Sequence, residues 1–532
     1  MAFKRMVALV LSIIMIVGAL SVFAACAEQT PSVTTGTKQT QGDPATTTKP
    51  SDTTAGGDPV GTTGPVTTTK PSKIDHDLPE IDLEGDVISF VVADTDQDML
   101  NTSSIVADAD TGDTVDQAIY ERNERIQEQF NCTIELYEEY VSDYSVSGQY
   151  GTVLLAGESS IDIIAGRQWD DMNLCLKGYV QELTSLEGTE NDYIDWEKGY
   201  WATDYIEGMN YGDKVYWLVG DINLRYTGSF YTVFLNKTLY DTSCLATYGD
   251  PYQLVYNGDW HYDTIIALAQ LGWQDIGEEQ DKTDSGDVLG LAIPLWDNTN
   301  AMVISAGIPF STENPDGSIV LNITDKNERL VNFCTKFSDL LSTNGVLSFG
   351  GAYGDAMNLL ASDNAMMVFG RLNQAHMYLR DMASDYVILP YPKLDKTQDR
   401  YYSSVHDGIS IFGVNNATSN LKAALVVLEA MACESYNTVR LEYYDYALKY
   451  KYTRDDYAAD MIDYIASVAW SDFGYVWAFT NSSLGSFFRG ALQPGLNKNN
   501  FARLVKQGQR GWQIALGDIM DDFKELWASE AN

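Results

Sequence analysis

Two short segments of the sequence combine an aromatic ring with planar polar side chains, the groups that bind a hydroxylated ring. Arg167, Gln168 and Trp169 form the first set, and Trp296 and Asn298 form the second. A flat aromatic face packs against the apolar C–H face of a sugar, while guanidinium, amide and carboxylate groups bond its hydroxyls. Because most tryptophans simply fill cores, burial of either ring is the alternative interpretation.

Six further polar residues are candidates for contacts to a ligand: Asp221, Asn223, Arg225, Arg371, His406 and Asp407. For the first three, a hinge ion pair or a turn cap is an equally good interpretation. Arg371 follows an apolar run that is typical of a strand, and its alternative role is that of a solvated surface arginine. A lone histidine is more often structural, so His406 could instead form a hydrogen bond across a hinge.

The motifs of common enzymes and metal sites are missing from the sequence. It contains no HExxH, GxSxG, GxxxxGK or GxGxxG motif in the required context. The segment that begins at Asp94 starts like a calcium-binding loop but does not match one. Met99 stands where the loop needs glycine, and Ile105 stands where glutamate closes the loop. The cysteines form no CxxC or Cys/His cluster. We therefore expect no catalytic residue, no cofactor and no metal ligand.

The charge of the chain excludes one large class of partner. Its 532 residues carry 75 acidic against 34 basic side chains, a formal net charge of −41. Such a surface repels phosphate backbones, so we expect no nucleic-acid binding. The same electrostatics favour neutral or cationic small molecules as ligands and disfavour phosphorylated and uronate ones.

The N-terminus is predicted to be a targeting segment followed by a tether. In residues 1–25 a basic start, an apolar stretch and small residues describe an export signal. The residues before Cys26 resemble a bacterial lipobox, although Phe23 stands where leucine is more usual. The resemblance implies that Cys26 is lipidated; a retained helix or free secretion are the alternatives. Residues 26–78 are rich in Thr, Pro and Gly without an aromatic residue, which predicts a flexible linker.

The remaining chain alternates between strand and helix patterns. The predicted strands are 87–92, 132–137, 161–165 and 230–236, and the predicted helices are 114–130, 145–156, 260–271, 356–360 and 421–431. A helix between two strands indicates a parallel βαβ unit, and hence an open α/β sheet. Because such sheets bind ligands beyond the carboxyl ends of their strands, Asp94 and Arg167 to Trp169 are favoured positions.

Several segments together resemble the extracellular solute-binding proteins of ABC transporters, in their carbohydrate branch (family 1). The first is DQAIYERNERIQEQFN at 116–131, which is similar to the family's first helix. DPYQLVYNGDW at 250–260 and the pair MYLRDM and YVILPYP at 377–392 follow in the family's order. His261 departs from the pattern, because it stands where a serine or threonine usually caps a helix.

The resemblance implies a two-lobed periplasmic-binding-protein-like α/β fold of type II. Each lobe would be a sheet flanked by helices and discontinuous in sequence, with 79–224 plus 408–436 forming lobe 1 and 229–404 plus 440–532 forming lobe 2. The chain would pass between the lobes near 220–229, 404–408 and 435–440, and we call these ranges the crossing segments. Hinge closure over a ligand is the expected motion.

The implied function is capture of a neutral mono- or oligosaccharide and its delivery to the transmembrane subunits of an ABC permease. The implied protein is a monomer on the extracellular face of the bacterial cell membrane, and the lipid anchor is its only contact with the membrane. Two alternatives stay open from the residues alone. One is a secreted glycoside hydrolase that uses two carboxylates. The other is a surface protein for attachment to polysaccharide.

Overall fold

A computed structural model of the chain describes most of the sequence after the predicted tether. The described residues are 73–93, 105–109, 111–138, 145–276, 283–284, 286–295, 298–350, 353–449, 457–478, 480, 483–491 and 498–530. The predictions on Cys26, Asp94 and Trp296 fall outside these ranges.

The strands belong to two main sheets and one small hairpin. They are β1 (Asp86–Val92), β2 (Cys132–Leu136), β3 (Ile163–Arg167), β4 (Tyr231–Asn236), β5 (Leu289–Pro294), β6 (Ser311–Glu313), β7 (Ile319–Leu321), β8 (Val346–Phe349), β9 (Ala365–Arg371), β10 (Tyr386–Pro390) and β11 (Ser410–Val414). The predicted strands 87–92, 132–137, 161–165 and 230–236 are confirmed to within two residues at each end.

The first sheet has the order β11-β3-β1-β2. Strands β2 and β3 both run parallel to β1, so the predicted βαβ unit is confirmed. Strand β11 returns more than 240 positions later and pairs antiparallel with β3, with Ser410 opposite Arg167. The start of β11 therefore lies at the carboxyl end of β3.

The second sheet has the order β10-β4-β9-β5-β8, and β6 pairs with β7 separately. Strand β5 runs parallel to β8 and β9, whereas β4 is antiparallel to β9 and β10. The pairing of β4 with β9 places Tyr231 opposite Arg371. Every residue of β4 and β5 is buried, as expected for strands covered on both faces.

Helices cover both sheets. They are α1 (Thr114–Phe130), α2 (Val146–Leu155), α3 (Gln168–Asp171), α4 (Asn173–Leu176), α5 (Thr203–Met209), α6 (Leu224–Gly228), α7 (Lys237–Ser243), α8 (Leu245–Tyr248), α9 (Pro251–Tyr256), α10 (Tyr262–Gly272), α11 (Asn298–Ser305), α12 (Glu328–Leu341), α13 (Tyr353–Ala361), α14 (Asn373–Tyr378), α15 (Leu421–Glu434), α16 (Arg440–Lys449), α17 (Tyr457–Ser467), α18 (Phe473–Val476), α19 (Leu484–Ala491) and α20 (Lys498–Glu530). In the described part of the chain, no helix is long and apolar enough to cross a membrane.

Helix boundaries follow local capping chemistry. Helix α1 begins at Thr114 as predicted, but its N-cap is Asp113, whose carboxylate accepts hydrogen bonds from two backbone N–H groups. Asn131 ends it in the left-handed conformation, with φ of 51°. His261, the departure from the family pattern, is itself the N-cap of α10, because Nδ1 accepts from Thr264 N at 3.4 Å.

Two crossing segments pair with each other between the sheets. Phe230 forms an antiparallel bridge with Val405, and the flanking bonds are Tyr231 N to Ser404 O and His406 N to Ser229 O, both 3.1 Å. Side chains alternate along paired strands, so Phe230 and Val405 point to one face and Tyr231 and His406 to the other. The Tyr231 and His406 rings lie 6.1 Å apart.

The third crossing segment is a single π-helical turn, Ser435–Val439, inserted between α15 and α16. The long helix α20 packs on distant parts of the fold. Its Trp527 stacks on Tyr211 at 5.3 Å between ring centroids, and its Gln513 accepts a hydrogen bond from Leu321 in β7 at 2.7 Å. The boundaries given for the two lobes stay a prediction.

Candidate functional site

The carboxyl end of β3 carries the first group of predicted ligand contacts. Gln168 N donates to Ile409 O at 3.0 Å, and Trp169 N donates to Asp407 O at 3.1 Å. These bonds hold the start of α3 against the segment that leads into β11. The structure thereby brings together Arg167, Gln168, Trp169, His406 and Asp407, which sequence reasoning selected from two separate regions.

The end of β9 in the second sheet lies beside this group. Arg371 is the last residue of β9, and its strand partner Tyr231 has its ring next to that of His406. The carboxyl ends of β3 and β9 thus converge on one face of the paired crossing segments. We define the cleft cluster as Arg167, Trp169, Tyr231, Arg371 and His406.

Four of the five side chains of the cleft cluster are only partly covered, whereas Tyr231 is buried. The side chains of Arg167 and His406 are 19% and 12% exposed, and those of Trp169 and Arg371 are also partly exposed. The Arg167 guanidinium carbon lies 5.8 Å from the centroid of the Trp169 ring, and that of Arg371 lies 5.2 Å from the Tyr353 ring. Rings and planar donors side by side can pack on a sugar and bond its hydroxyls.

Asp171 positions the end of β3, although sequence reasoning did not select it. Its buried carboxylate accepts from Arg167 N at 2.8 Å and from Val146 N and Ser147 N, in the first turn of α2, at 3.1 and 2.8 Å. Burial raises the pKa of this carboxyl, and the three N–H donors oppose the rise. The ion pair of Arg167 Nη1 with Asp170 Oδ2 at 3.1 Å further fixes the guanidinium.

Gln168 lies just behind the cleft cluster. The structure places it with Trp169 in the short helix α3. Gln168 is 1% exposed, and its Oε1 accepts from Tyr205 OH at 2.7 Å. Among the described residues, none accepts a hydrogen bond from its Nε2. A buried amide donor of this kind is a position at which a ligand oxygen would be stabilised.

His406 is held in one orientation by its neighbours. Its Nδ1 accepts from Gly408 N at 3.0 Å, and its Nε2 lies 3.5 Å from Asp407 Oδ1. An acceptor Nδ1 places the ring hydrogen of the neutral tautomer on Nε2. The predicted bond across the hinge is made by the backbone, through His406 N and Ser229 O.

The contacts of Asp221, Asn223 and Arg225 favour the hinge and capping interpretation. Asn223 caps α6 by accepting from Arg225 N at 3.1 Å, and its Nδ2 donates to Ser410 Oγ at 2.9 Å. Asp221 accepts from Thr227 Oγ1 at 3.0 Å and lies 3.6 Å from Arg440 Nη1. All three residues are buried in the first crossing segment, and their predicted contacts to a ligand stay a prediction.

Asn298 lies beneath the surface of the second sheet. It is fully buried, its Nδ2 donates to Pro294 O at 2.7 Å and to Phe369 O at 3.2 Å, and its Oδ1 accepts from Tyr391 OH at 2.8 Å. These bonds join β5 to β9 below the position of Arg371. The contact that was predicted between Asn298 and a ligand stays a prediction.

Comparison with known proteins identifies the fold. No protein-family model and no curated protein match the chain. Among solved structures, the ABC substrate-binding protein Lmo0181 from Listeria monocytogenes, in complex with cycloalternan, is 14% identical with a TM-score of 0.51 and covers 81% of this chain and 99% of its own. M. tuberculosis UspC is 13% identical with a TM-score of 0.53 and covers 81% and 100%. The predicted two-lobed periplasmic-binding-protein-like α/β fold is therefore confirmed.

Proposed function

We propose that this chain is an extracellular solute-binding protein, which captures a carbohydrate between its two lobes and delivers it unchanged to the transmembrane subunits of an ABC importer. The observation that carries the proposal is the cleft cluster, where the partly exposed Trp169 and His406 rings meet the planar donors at the ends of β3 and β9 beside the crossing segments. Lmo0181 shares the fold and is described as an ABC substrate-binding protein in complex with cycloalternan. The acidic composition keeps a neutral mono- or oligosaccharide as the favoured ligand.

Anchoring at Cys26 and a monomeric state are parts of the same proposal. The end of the tether is held against the folded body, because Ile74 and Asn437 exchange hydrogen bonds of 3.1 and 2.8 Å. Lys198 forms an ion pair with Asp77 nearby. A lipid on Cys26 would thus be linked to the body beside the third crossing segment. Release of the protein from membranes by a Cys26→Ser change would support the anchor.

Calorimetric titration with a panel of neutral mono- and oligosaccharides tests the binding function. We expect saturable binding of at least one sugar, with no change in the sugar recovered afterwards. Absence of heat across the panel would contradict the proposal, and release of shortened products would instead favour a glycoside hydrolase.

Trp169→Ala is expected to weaken the binding of that sugar by about 1–3 kcal/mol, the range found when an aromatic platform is removed. The measurement is the dissociation constant from the same titration. Trp196→Ala is the matched control, because Trp196 is also partly exposed but lines a separate surface pocket beside Leu78 and Pro79. Equal affinities of the two variants would remove Trp169 from the site. Trp296, outside the described residues, keeps its predicted stacking role.

A further inference from the structure

A cavity of about 380 Å³ lies on the face of the crossing segments that Phe230 occupies. Its lining includes Asp221, Tyr226 and Arg440 from the first and third crossing segments, together with Trp201, Asp204 and Asp463. None of the five members of the cleft cluster lines it. Its volume falls in the range of small-molecule sites. We call it the hinge cavity.

The charges in the hinge cavity are unbalanced. Three carboxylates, those of Asp204, Asp221 and Asp463, face one guanidinium, that of Arg440. Arg440 is already engaged, with Nη1 3.6 Å from Asp221 and the guanidinium carbon 3.7 Å from the centroid of the Tyr436 ring. Burial raises the pKa of Asp221 and of Asp463, and Arg440 opposes both rises. An additional positive charge would therefore be stabilised here.

Aromatic side chains form a large part of the remaining wall of the hinge cavity. Trp201, Tyr226, Phe230 and Tyr436 all line it. The Trp201 ring is held in place, because its Nε1 donates to the buried carboxylate of Glu429 at 2.9 Å. Tyr226 packs edge-on against Phe230 at 4.9 Å. Rings combined with carboxylates are the surroundings in which organic ammonium groups bind, through cation–π attraction and ion pairing.

One lining residue of the hinge cavity has a buried donor without an acceptor. Arg440 is 7% exposed, and within the described part of the chain no group accepts a hydrogen bond from its Nε. A buried N–H without a partner destabilises the protein, so an oxygen supplied by a ligand would be favourable at this point. The site therefore suits a molecule with a hydroxyl group close to a positive charge.

We propose that the hinge cavity is a second ligand site, separate from the cleft cluster, and that it binds a small organic ammonium ion that carries a hydroxyl group. The ammonium group lies among the aromatic rings and the carboxylates of Asp204 and Asp463, and the hydroxyl oxygen accepts from Arg440 Nε. Because part of the lining, including Asp221, Tyr226 and Arg440, belongs to the first and third crossing segments, occupation of the cavity stabilises one arrangement of the hinge.

Choline is the probe for this proposal, and calorimetric titration of the full chain is the measurement. We expect one saturable site. The uncharged isostere 3,3-dimethyl-1-butanol is expected to bind at least about tenfold more weakly, because it lacks the cation–π and ionic attraction. Tetramethylammonium, which keeps the charge but has no hydroxyl, is expected to bind more weakly than choline as well.

Two variants locate the choline site. Asp463→Asn is expected to weaken choline binding about tenfold, and Ser467→Lys, which places an ammonium group on an exposed lining residue, is expected to abolish it. Asp192→Asn, an exposed carboxylate outside the cavity, is the matched control. Because Ser467 is exposed, its variant should fold even if Asp463→Asn does not.

Three results would overturn the proposal. The first is the absence of choline binding at millimolar concentration, and the second is equal binding of the uncharged isostere. The third is that Trp169→Ala loses choline binding while Ser467→Lys retains it. The last result would place choline at the cleft cluster. Sugar titrations of the same variants report on the proposed carbohydrate function separately, so the failure of one proposal is distinguishable from that of the other.

Discussion

Arg122→Met is expected to lower the free energy of unfolding by about 3 kcal/mol. Hydrogen bonds from a buried charged group each contribute roughly 1.5–3 kcal/mol, but the loss is smaller than their sum because some of the acceptors keep a second hydrogen-bond donor in the variant. Arg122 is fully buried in α1. It donates to Ile222 O at 2.7 Å, to Ile105 O at 2.6 Å and to Ser435 Oγ at 3.0 Å. These bonds tie α1 to the first and third crossing segments, so their loss weakens the hinge itself. Equilibrium denaturation with urea measures the change.

Arg125→Met is the matched control on the same helix. Arg125 is 42% exposed, and it pairs with Glu434 at 3.1 Å and with Glu121 at 3.8 Å. Exposed ion pairs contribute little, so this variant should lose less than about 1 kcal/mol. If both variants were destabilised equally, Arg122 would not have the structural role inferred from its bonds.

The regular elements of the first sheet could be predicted because their signals are local. Apolar runs of five or six residues, followed by a helical repeat between Val115 and Phe130, are visible without any tertiary contact. Helix α6 (Leu224–Gly228), within the first crossing segment, was not predicted. It contains only five residues, and it depends on the cap from Asn223 and on burial against distant elements.

The candidate site could be predicted only in part. Arg167 and His406 were selected because one follows a strand and the other lies at an expected hinge, but their proximity depends on the antiparallel register of β11 against β3. Tyr231, Asp171 and Tyr205 were missed, since their roles follow from which face a side chain occupies and which N–H groups come near it. A single sequence carries no local signal for either property.

The same limit explains the positions of Asp221 and Asn298. Both are polar residues in turn-like surroundings, which is also the composition of a ligand-binding loop. The partners in the structure are Thr227 and Arg440 for Asp221, and two backbone carbonyl groups and the Tyr391 hydroxyl for Asn298, while the predicted ligand contacts of both residues stay predictions. These partners are brought into place by packing over long sequence separations.

Glu429→Gln is expected to remove a dependence of stability on pH. Glu429 is fully buried in α15, and its carboxyl group accepts from Tyr200 OH at 2.5 Å and from Trp201 Nε1 at 2.9 Å. Burial raises its pKa from 4.5 to about 7, and these two donors oppose the rise. Between these two pKa values the folded protein therefore holds a proton that the unfolded chain has lost. The protonated carboxyl group stabilises the folded state at low pH, and this stabilisation is lost as the pH rises from about 4.5 through about 7.

The interval between the two pKa values corresponds to about 3 kcal/mol. Glutamine reproduces the protonated carboxyl, because its amide N–H can donate to Tyr200 while its oxygen accepts from Trp201. We expect the variant to be more stable than the natural protein at pH 8, by up to about 3 kcal/mol, and equally stable at pH 4.5. Urea denaturation at the two pH values measures both differences.

Glu434→Gln, at the end of the same helix, is the matched control for this pH dependence. Its side chain is 26% exposed and pairs with Arg125, so its replacement should change stability by less than about 1 kcal/mol at both pH values. A Glu429→Gln variant that loses stability at pH 8 would show that the carboxylate is favoured in the folded state, against the expected sign.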